Sequence, residues 1–256
     1  ERITVNHLSL VNSYPLFSYD FFKLIGKERI TVNQTQMVYV LGHLFFSIVC
    51  IIMLVLKQDL LMIMFVLAFS SVSLIMGAMS VRSPYSKIGA QRELMQMMAY
   101  EPVLLLMVVG IYLTNKSFMI SNILENDKPL LFNLPLVFLA FLYVLTIKLR
   151  KSPFDFSTSH HGHQELIKGL TTEFSGPQLA IIELAHWYDL VLLLSLIALF
   201  FAKPLWVGII IALVSFFLEM LIDNVSARLT WRFMIKLTGI VGVGAAMTNI
   251  IWLYLK

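Results

Sequence analysis

The chain is patterned as long apolar runs separated by short polar breaks. Seven runs stand out: Val38–Leu56, Leu60–Val81, Met97–Thr114, Leu130–Leu149, Leu179–Ala202, Leu205–Val225 and Ile235–Leu255. Each is near the ~20 residues an α-helix needs to cross the hydrocarbon core of a bilayer. The pattern predicts an all-α polytopic membrane protein, with seven transmembrane helices in residues 38–256 behind an N-terminal segment, residues 1–37. Within that segment, Ser18–Lys27 places Phe21, Leu24 and Ile25 on one helical face and Asp20, Lys23 and Lys27 elsewhere. That is the pattern of a helix lying on the membrane surface.

Composition agrees. The chain is 59% hydrophobic and 13% charged, with mean hydropathy +0.83, whereas a soluble domain carries roughly 25% charged residues. Once the spans are counted, no room remains for a soluble domain of typical size. The net charge of +4 matters less than where the cations fall. The segments Glu1–Met37, Arg82–Gln96, Lys148–Gln178 and Ser226–Lys236 share one predicted face and hold 14 of the Lys and Arg residues. The other face has 5: Lys57, Lys116, Lys128, Lys203 and Lys256. The richer face is therefore expected to be cytoplasmic, with loops 82–96, 148–178 and 226–236 inside the cell membrane and the C-terminus outside. Cys50 is the single cysteine, which excludes an internal disulfide and an iron–sulfur cluster held by this chain alone. No cleavable signal peptide is visible. Residue 1 is Glu, so earlier sequence is expected. The hexapeptide E-R-I-T-V-N occurs at Glu1–Asn6 and again at Glu28–Asn33, too short to be a folding repeat.

The longest polar interruption, Leu149–Gln178, is chemically crowded, and long loops in compact proteins are usually functional or disordered. It holds His160, His161 and His163, the acids Asp155, Glu165 and Glu173, and Arg150, Lys151 and Lys168, with Lys148 just upstream. The three histidines match no helix-borne H-E-x-x-H pattern, and a solvated loop describes them better than a metal site. Ionisable residues inside spans are costly and usually face a protein interior or a watery cavity. The candidates are Glu101, Glu183, Asp189, Glu219 and Asp223, with His186 one turn from Glu183. Glu219 and Asp223 are four apart and share a helix face. Arg228 and Arg232 follow with the same spacing, so the four form either a structural ion-pair ladder or part of a functional path. Arg82-Ser83-Pro84-Tyr85 ahead of Arg92-Glu93 echoes Lys151-Ser152-Pro153-Phe154 ahead of Glu165. Each presents a cation and a proline break, then acids leading into the next span.

Lys151-Ser152-Pro153-Phe154-Asp155, followed by Glu165, Gly169 and Glu173-Phe174-Ser175-Gly176, resembles the signature loop of the NuoH-like membrane subunit of respiratory complex I and its hydrogenase relatives. Ser86-Lys87 with Gln96 to Tyr100-Glu101 is similar to that family's other cytoplasmic loop. The strings S-P-Y-S-K-I-G-A-Q-R-E-L, S-P-F-D-F-S-T-S-H-H-G-H-Q-E-L, T-E-F-S-G-P, E-L-A-H-W-Y and D-N-V-S-A-R-L-T-W look like the Ech-type branch of energy-converting [NiFe] hydrogenases. The family has eight spans, so a first span ahead of Glu1 would complete the set. Asn6–Ser13 lacks the family's Arg-x-Gly-Pro element, while Pro15–Glu28 keeps the spacing of its surface helix.

The resemblance implies a non-catalytic membrane subunit of an oxidoreductase complex. Its partners would be the [NiFe] hydrogenase large and small subunits, a ferredoxin-like iron–sulfur subunit and an antiporter-like membrane subunit, with ferredoxin as electron donor and no nucleic acid involved. The [4Fe-4S] clusters and the NiFe centre would sit in the partners and none in this chain. Carried over by position, the ion-coupling residues would be Asp155, Glu165 and Glu173 in the loop and Glu101, Glu183, Glu219 and Asp223 deeper, with Arg82, Arg92, Lys151, Arg228 and Arg232 as charge partners. One rival is the quinone-binding, NuoH-like subunit of a complex I-type NADH:quinone oxidoreductase. Another, from a different class, is a stand-alone cation transporter using His160, His161 and His163.

Overall fold

The computed structural model describes residues 21–28, 33–125, 129–149, 169–201, 203–226 and 229–255. Among them the fold is helical, with an isolated bridge between Asp59 and Met119. The helices are α1 (Thr35–Val55), α2 (Leu60–Met79), α3 (Pro84–Asn115), α4 (Ile120–Glu125), α5 (Pro135–Lys148), α6 (Gly176–Leu199), α7 (Leu205–Val225), α8 (Trp231–Leu237) and α9 (Gly244–Leu255). A π-helical segment, Thr238–Val243, joins α8 to α9. Residues 21–25 form a short helical turn, the described part of the expected surface helix.

Six of the seven expected spans are helices long and apolar enough to cross a membrane among the described residues. The chain is a multi-pass membrane protein. The seventh differs: Leu130–Phe132 is a separate 3-10 turn, and Pro135, at the first turn where a missing N–H costs nothing, starts a helix of only 14 residues. At 1.5 Å per residue α5 is about 21 Å long, short of the ~30 Å hydrocarbon core. It ends at Lys148. The span expected at Met97–Thr114 is longer than its apolar run. α3 has 32 residues and takes in most of the polar stretch 82–96. Pro102 sits inside it and has no N–H for the carbonyl of Met98.

α3 is the central element. α2, α5, α8, the π segment and α9 all pack on it, while α1 packs between α2 and α6, and α7 packs on α6. The main core runs through α1 to α7 and on to Met234 and Ala246.

The connections are stitched together at each end. At one end Leu60 N donates to Phe118 O (2.9 Å), Leu130 N to Phe200 O (3.0 Å) and Ile120 N to Gln58 O (3.3 Å). Lys203 Nζ reaches Glu125 O at 2.7 Å. Asn249 ties α9 to this end, accepting from Leu136 N at 2.8 Å and donating to Asn133 O at 3.0 Å. This gathers Lys57, Lys116 and Lys203 on one face, in keeping with the alternation read from the cations.

At the other end Asn33 Nδ2 donates to Ser80 O (3.0 Å) and Ser86 Oγ to Ala78 O (2.9 Å). Two glycines let backbone meet backbone there. A Cβ on Gly89 would lie 2.4 Å from Leu170 N and 2.5 Å from Gly169 C. Gly176 has φ +35°, and a Cβ on it would meet the carbonyl oxygens of Glu28 and Lys27 at 3.1 Å. Segments 21–28, 80–90 and 169–176 thus converge on one end of the bundle, over a small core of Val40, Leu74, Ala78, Ala90, Leu170, Phe174 and Ile182.

Gly89→Ala should push the 169–171 turn off α3 at a cost of about 1–3 kcal/mol, the usual range for overpacking. A lowered unfolding midpoint of the purified protein in detergent is expected. Gly239→Ala, with nothing within 4 Å of the added carbon, should leave the midpoint nearly unchanged.

Candidate functional site

The polar side chains inside the helices gather into a track through the middle of the bundle. On α1, His43 and Ser47 are one turn apart and face α2 and α6; both are buried. His43 Nδ1 lies 3.0 Å from the backbone oxygen of Ser70 and 2.7 Å from its Oγ. A carbonyl only accepts, so Nδ1 carries a proton. Ser70 Oγ lies 2.8 Å from Ser47 Oγ and 3.1 Å from His43 O. Ser47 Oγ donates to Asp189 Oδ1 on α6 at 2.8 Å. His186, one turn before Asp189, sets its ring edge-on to His43, with centroids 5.7 Å apart.

The next residue of α2 faces the other way. Ser71 Oγ accepts from Lys148 Nζ at 2.9 Å. The same ammonium lies 3.4 Å from Tyr100 OH and 5.1 Å from the ring centroid of that tyrosine, within cation–π reach. Tyr100 is buried, and Glu101 follows it on α3, half-buried, with Oε1 enclosed and no hydrogen-bond partner among the described residues. One ammonium at the C-terminal end of α5 thus meets a hydroxyl of α2 and the phenol of α3. The end of α5 suits it, because the carbonyls of a last turn favour positive charge.

The depths agree. Ser47 is about 18 Å along α1 from its start, Asp189 about 20 Å along α6, and Ser70 about 15 Å along α2. All lie near the middle of a layer ~30 Å thick.

The residues expected from the sequence fall in different places. Glu101 is in the track. Glu173 is half-buried beside the buried Phe174, at the end where segments 21–28 and 169–176 meet. Glu219 is buried on α7 at 3% exposure, and Asp223 is half-buried one turn on. Glu183 is exposed on the outside of α6, whereas His186 and Asp189 turn toward α1. Arg82 is exposed, and Arg92 is half-buried with Nη1 enclosed. Arg232 stands in the first turn of α8. Asp155, Glu165, Lys151, Arg228, Arg150, Lys168 and the histidines 160, 161 and 163 lie outside the described residues. Among the described residues no three His, Cys, Asp or Glu side chains cluster as a metal site.

Sequence reading missed Lys148, Ser47, Ser70, Ser71 and His43 as site residues. The available signal was His43 within an apolar run, and Lys148 inside the run ending at Leu149 rather than beyond it.

A hydrogen bond made by a charged group contributes about 1.5–3 kcal/mol, and Lys148→Met, which removes the ammonium held by Ser71 and Tyr100, should destabilise the protein on that scale. The double variant Lys148→Met/Asp189→Asn should lose less than the sum of the single losses, since neighbouring sites couple. Unfolding midpoints of the four proteins in detergent measure this; strict additivity would show that the two groups do not interact.

The sequence matches the NADH dehydrogenase family over residues 2–254. It is 28% identical over 145 residues to the H subunit of NADH-quinone oxidoreductase from Syntrophotalea carbinolica, covering 56% of this chain and 43% of that protein. It is 32% identical over 144 residues to NADH-ubiquinone oxidoreductase chain 1 of Myxine glutinosa, covering 54% and 44%. The chain thus spans less than half the length of these curated relatives. Its fold matches a chain in the structure of the membrane-bound sulfane sulfur reductase, an archaeal respiratory membrane complex, with TM-score 0.81 and 23% identity over 92% of this chain and 85% of that one. With a family match along nearly its whole length, and sequence similarity to these oxidoreductase membrane subunits, the chain belongs to the NADH dehydrogenase family.

Proposed function

We propose that the chain is the membrane-anchoring and coupling subunit of a ferredoxin-dependent, hydrogen-evolving energy-converting [NiFe] hydrogenase, in which buried carboxylates link electron transfer in a docked soluble arm to movement of protons or sodium ions. The observation that carries this reading is the set of ionisable groups inside the bundle: Lys148 against Ser71 and Tyr100, Glu101 next in sequence to Tyr100, and Asp189 against Ser47. Ionisable groups at such depth are expensive and mark ion pathways or proton relays. The end formed by segments 21–28, 80–90 and 169–176 supplies a surface for the arm, with Glu173 at its edge. The arm would contain the hydrogenase large and small subunits and a ferredoxin-like iron–sulfur subunit; an antiporter-like subunit would sit alongside in the membrane. The choice of the hydrogenase branch rests on the H-H-G-H and S-P-Y strings.

The coupling needs no moving part. One added electron about 10 Å away, at an effective dielectric of ~20, changes a carboxylate's energy by about 1.7 kcal/mol, or roughly one pKa unit. A carboxylate desolvated enough to titrate near neutral pH responds to that; a fully hydrated one stays ionised. Glu101 is placed to respond and to pass the change to Lys148.

A second reading has its own support. The curated relatives are named as quinone and ubiquinone oxidoreductase subunits, so a complex I-type assembly with a quinone as acceptor is the alternative.

Isolating the native complex through a tag on this chain separates the two. A co-purifying nickel–iron subunit, with hydrogen made from reduced ferredoxin, is expected. Bound quinone with a flavin-containing NADH-oxidising partner would overturn the hydrogenase assignment. In the same complex Glu101→Gln should cut ions moved per hydrogen at least threefold. Unchanged ion movement would remove Glu101 from the path.

A further inference from the structure

We propose that Asp189, Ser47, Ser70 and His43 form a proton relay. The inference deepens the coupling role above and rests on it: it makes the transported ion a proton and adds a segment beyond Glu101.

The distances link the four groups into one chain. His43 Nδ1 lies 2.7 Å from Ser70 Oγ, Ser70 Oγ lies 2.8 Å from Ser47 Oγ, and Ser47 Oγ–H donates to Asp189 Oδ1 (2.8 Å). Each hydroxyl accepts one proton as it gives one away. The balanced step starts from a His43 imidazolium and an Asp189 carboxylate. The Nδ1 proton passes to Ser70, the Ser70 proton to Ser47, and the Ser47 proton to Asp189. The products are a neutral imidazole protonated at Nε2, two intact hydroxyls and a carboxylic acid. No electron moves. Ser70 resets by turning its hydroxyl back to His43 O, 3.1 Å away.

The same atoms suit sodium poorly. Hard cations collect about six oxygen ligands. Here two hydroxyls are committed to each other, one terminal atom is an imidazole nitrogen, and the Lys148 ammonium repels a second cation. A proton needs none of those ligands, since each hop uses a hydrogen bond already made.

Lys148 lies next to this relay. It donates to Ser71, the residue after Ser70, and sits over Tyr100, the residue before Glu101. The other titratable groups facing Asp189 are Cys50 from α1 and His186 on its own helix, with Tyr100 across Lys148.

The test uses the whole complex in proteoliposomes, reading proton movement per electron transferred with a pH-sensitive dye. Ser47→Ala should lower the ratio at least threefold, and Ser47→Thr, which restores a hydroxyl, should recover most of it. The wild-type ratio should be the same in sodium-free medium. A Ser47→Ala ratio equal to wild type, or a sodium requirement, would overturn the relay. A wild-type complex that moves no ions would instead defeat the coupling role. Infrared difference spectra between acidic and alkaline pH then judge the relay alone. The carboxyl band lost in Asp189→Asn and the imidazole band lost in His43→Gln should both shift in Ser47→Ala. If the imidazole band ignores the loss of a hydroxyl two hydrogen bonds away, the chain of transfers does not exist.

Discussion

A lysine ammonium cannot sit in the middle of a membrane protein without partners, and much of the interior architecture follows from how Lys148 is served. α5 stops after 14 residues, so its last side chain is delivered to the mid-depth of the bundle rather than to the surface. α2 supplies Ser71 and α3 supplies Tyr100. With α5 itself, three helices thus meet at one charge. In lipid there is no hydrophobic drive between helices, so packing and such polar contacts decide the arrangement.

The two ends of the bundle are built differently. One is closed by main-chain hydrogen bonds between connections and by Asn249, which ties α9 to the start of α5. The other is made by close backbone approaches at Gly89 and Gly176 and by Phe174 in a small core. A rigid closure at one end and a surface of converging segments at the other suit a protein that keeps its helices fixed while receiving a partner at a single face.

Much of the fold was legible in the sequence because span length and apolar character are set by the bilayer itself. α1, α2, α6 and α7 match their apolar runs to within a few residues. The run Leu130–Leu149 misled because Leu130–Phe132 and Leu134 are apolar without belonging to the helix; hydropathy cannot distinguish a buried 3-10 turn from a first helical turn. Residues 84–96 were read as a loop because they are polar, yet a helix that continues past the bilayer has no need of apolar residues there. The site was legible only in part. Glu101 and Asp189 stand out as acids in apolar runs. Ser47, Ser70 and Ser71 do not, since a single hydroxyl on a helix can bond to its own preceding turn and need have no further role. Only the register between α1, α2 and α6 shows that two of these hydroxyls meet. Lys148 was counted as a flanking cation, which is what a lysine at the end of a full-length span would be.

In the proposed coupling, the path runs from Glu101 past Lys148 to Asp189 in the middle of the bundle, beneath a partner proposed to seat on the 21–28 and 169–176 end. A density map of the native complex at a resolution that shows side chains tests this most directly. The expected map has the Lys148 ammonium against Ser71 and Tyr100, the Asp189–Ser47–Ser70–His43 chain unbroken, and a redox protein over that end. A Lys148 side chain turned out to lipid or bulk water, with the redox partner absent from that end, would contradict it.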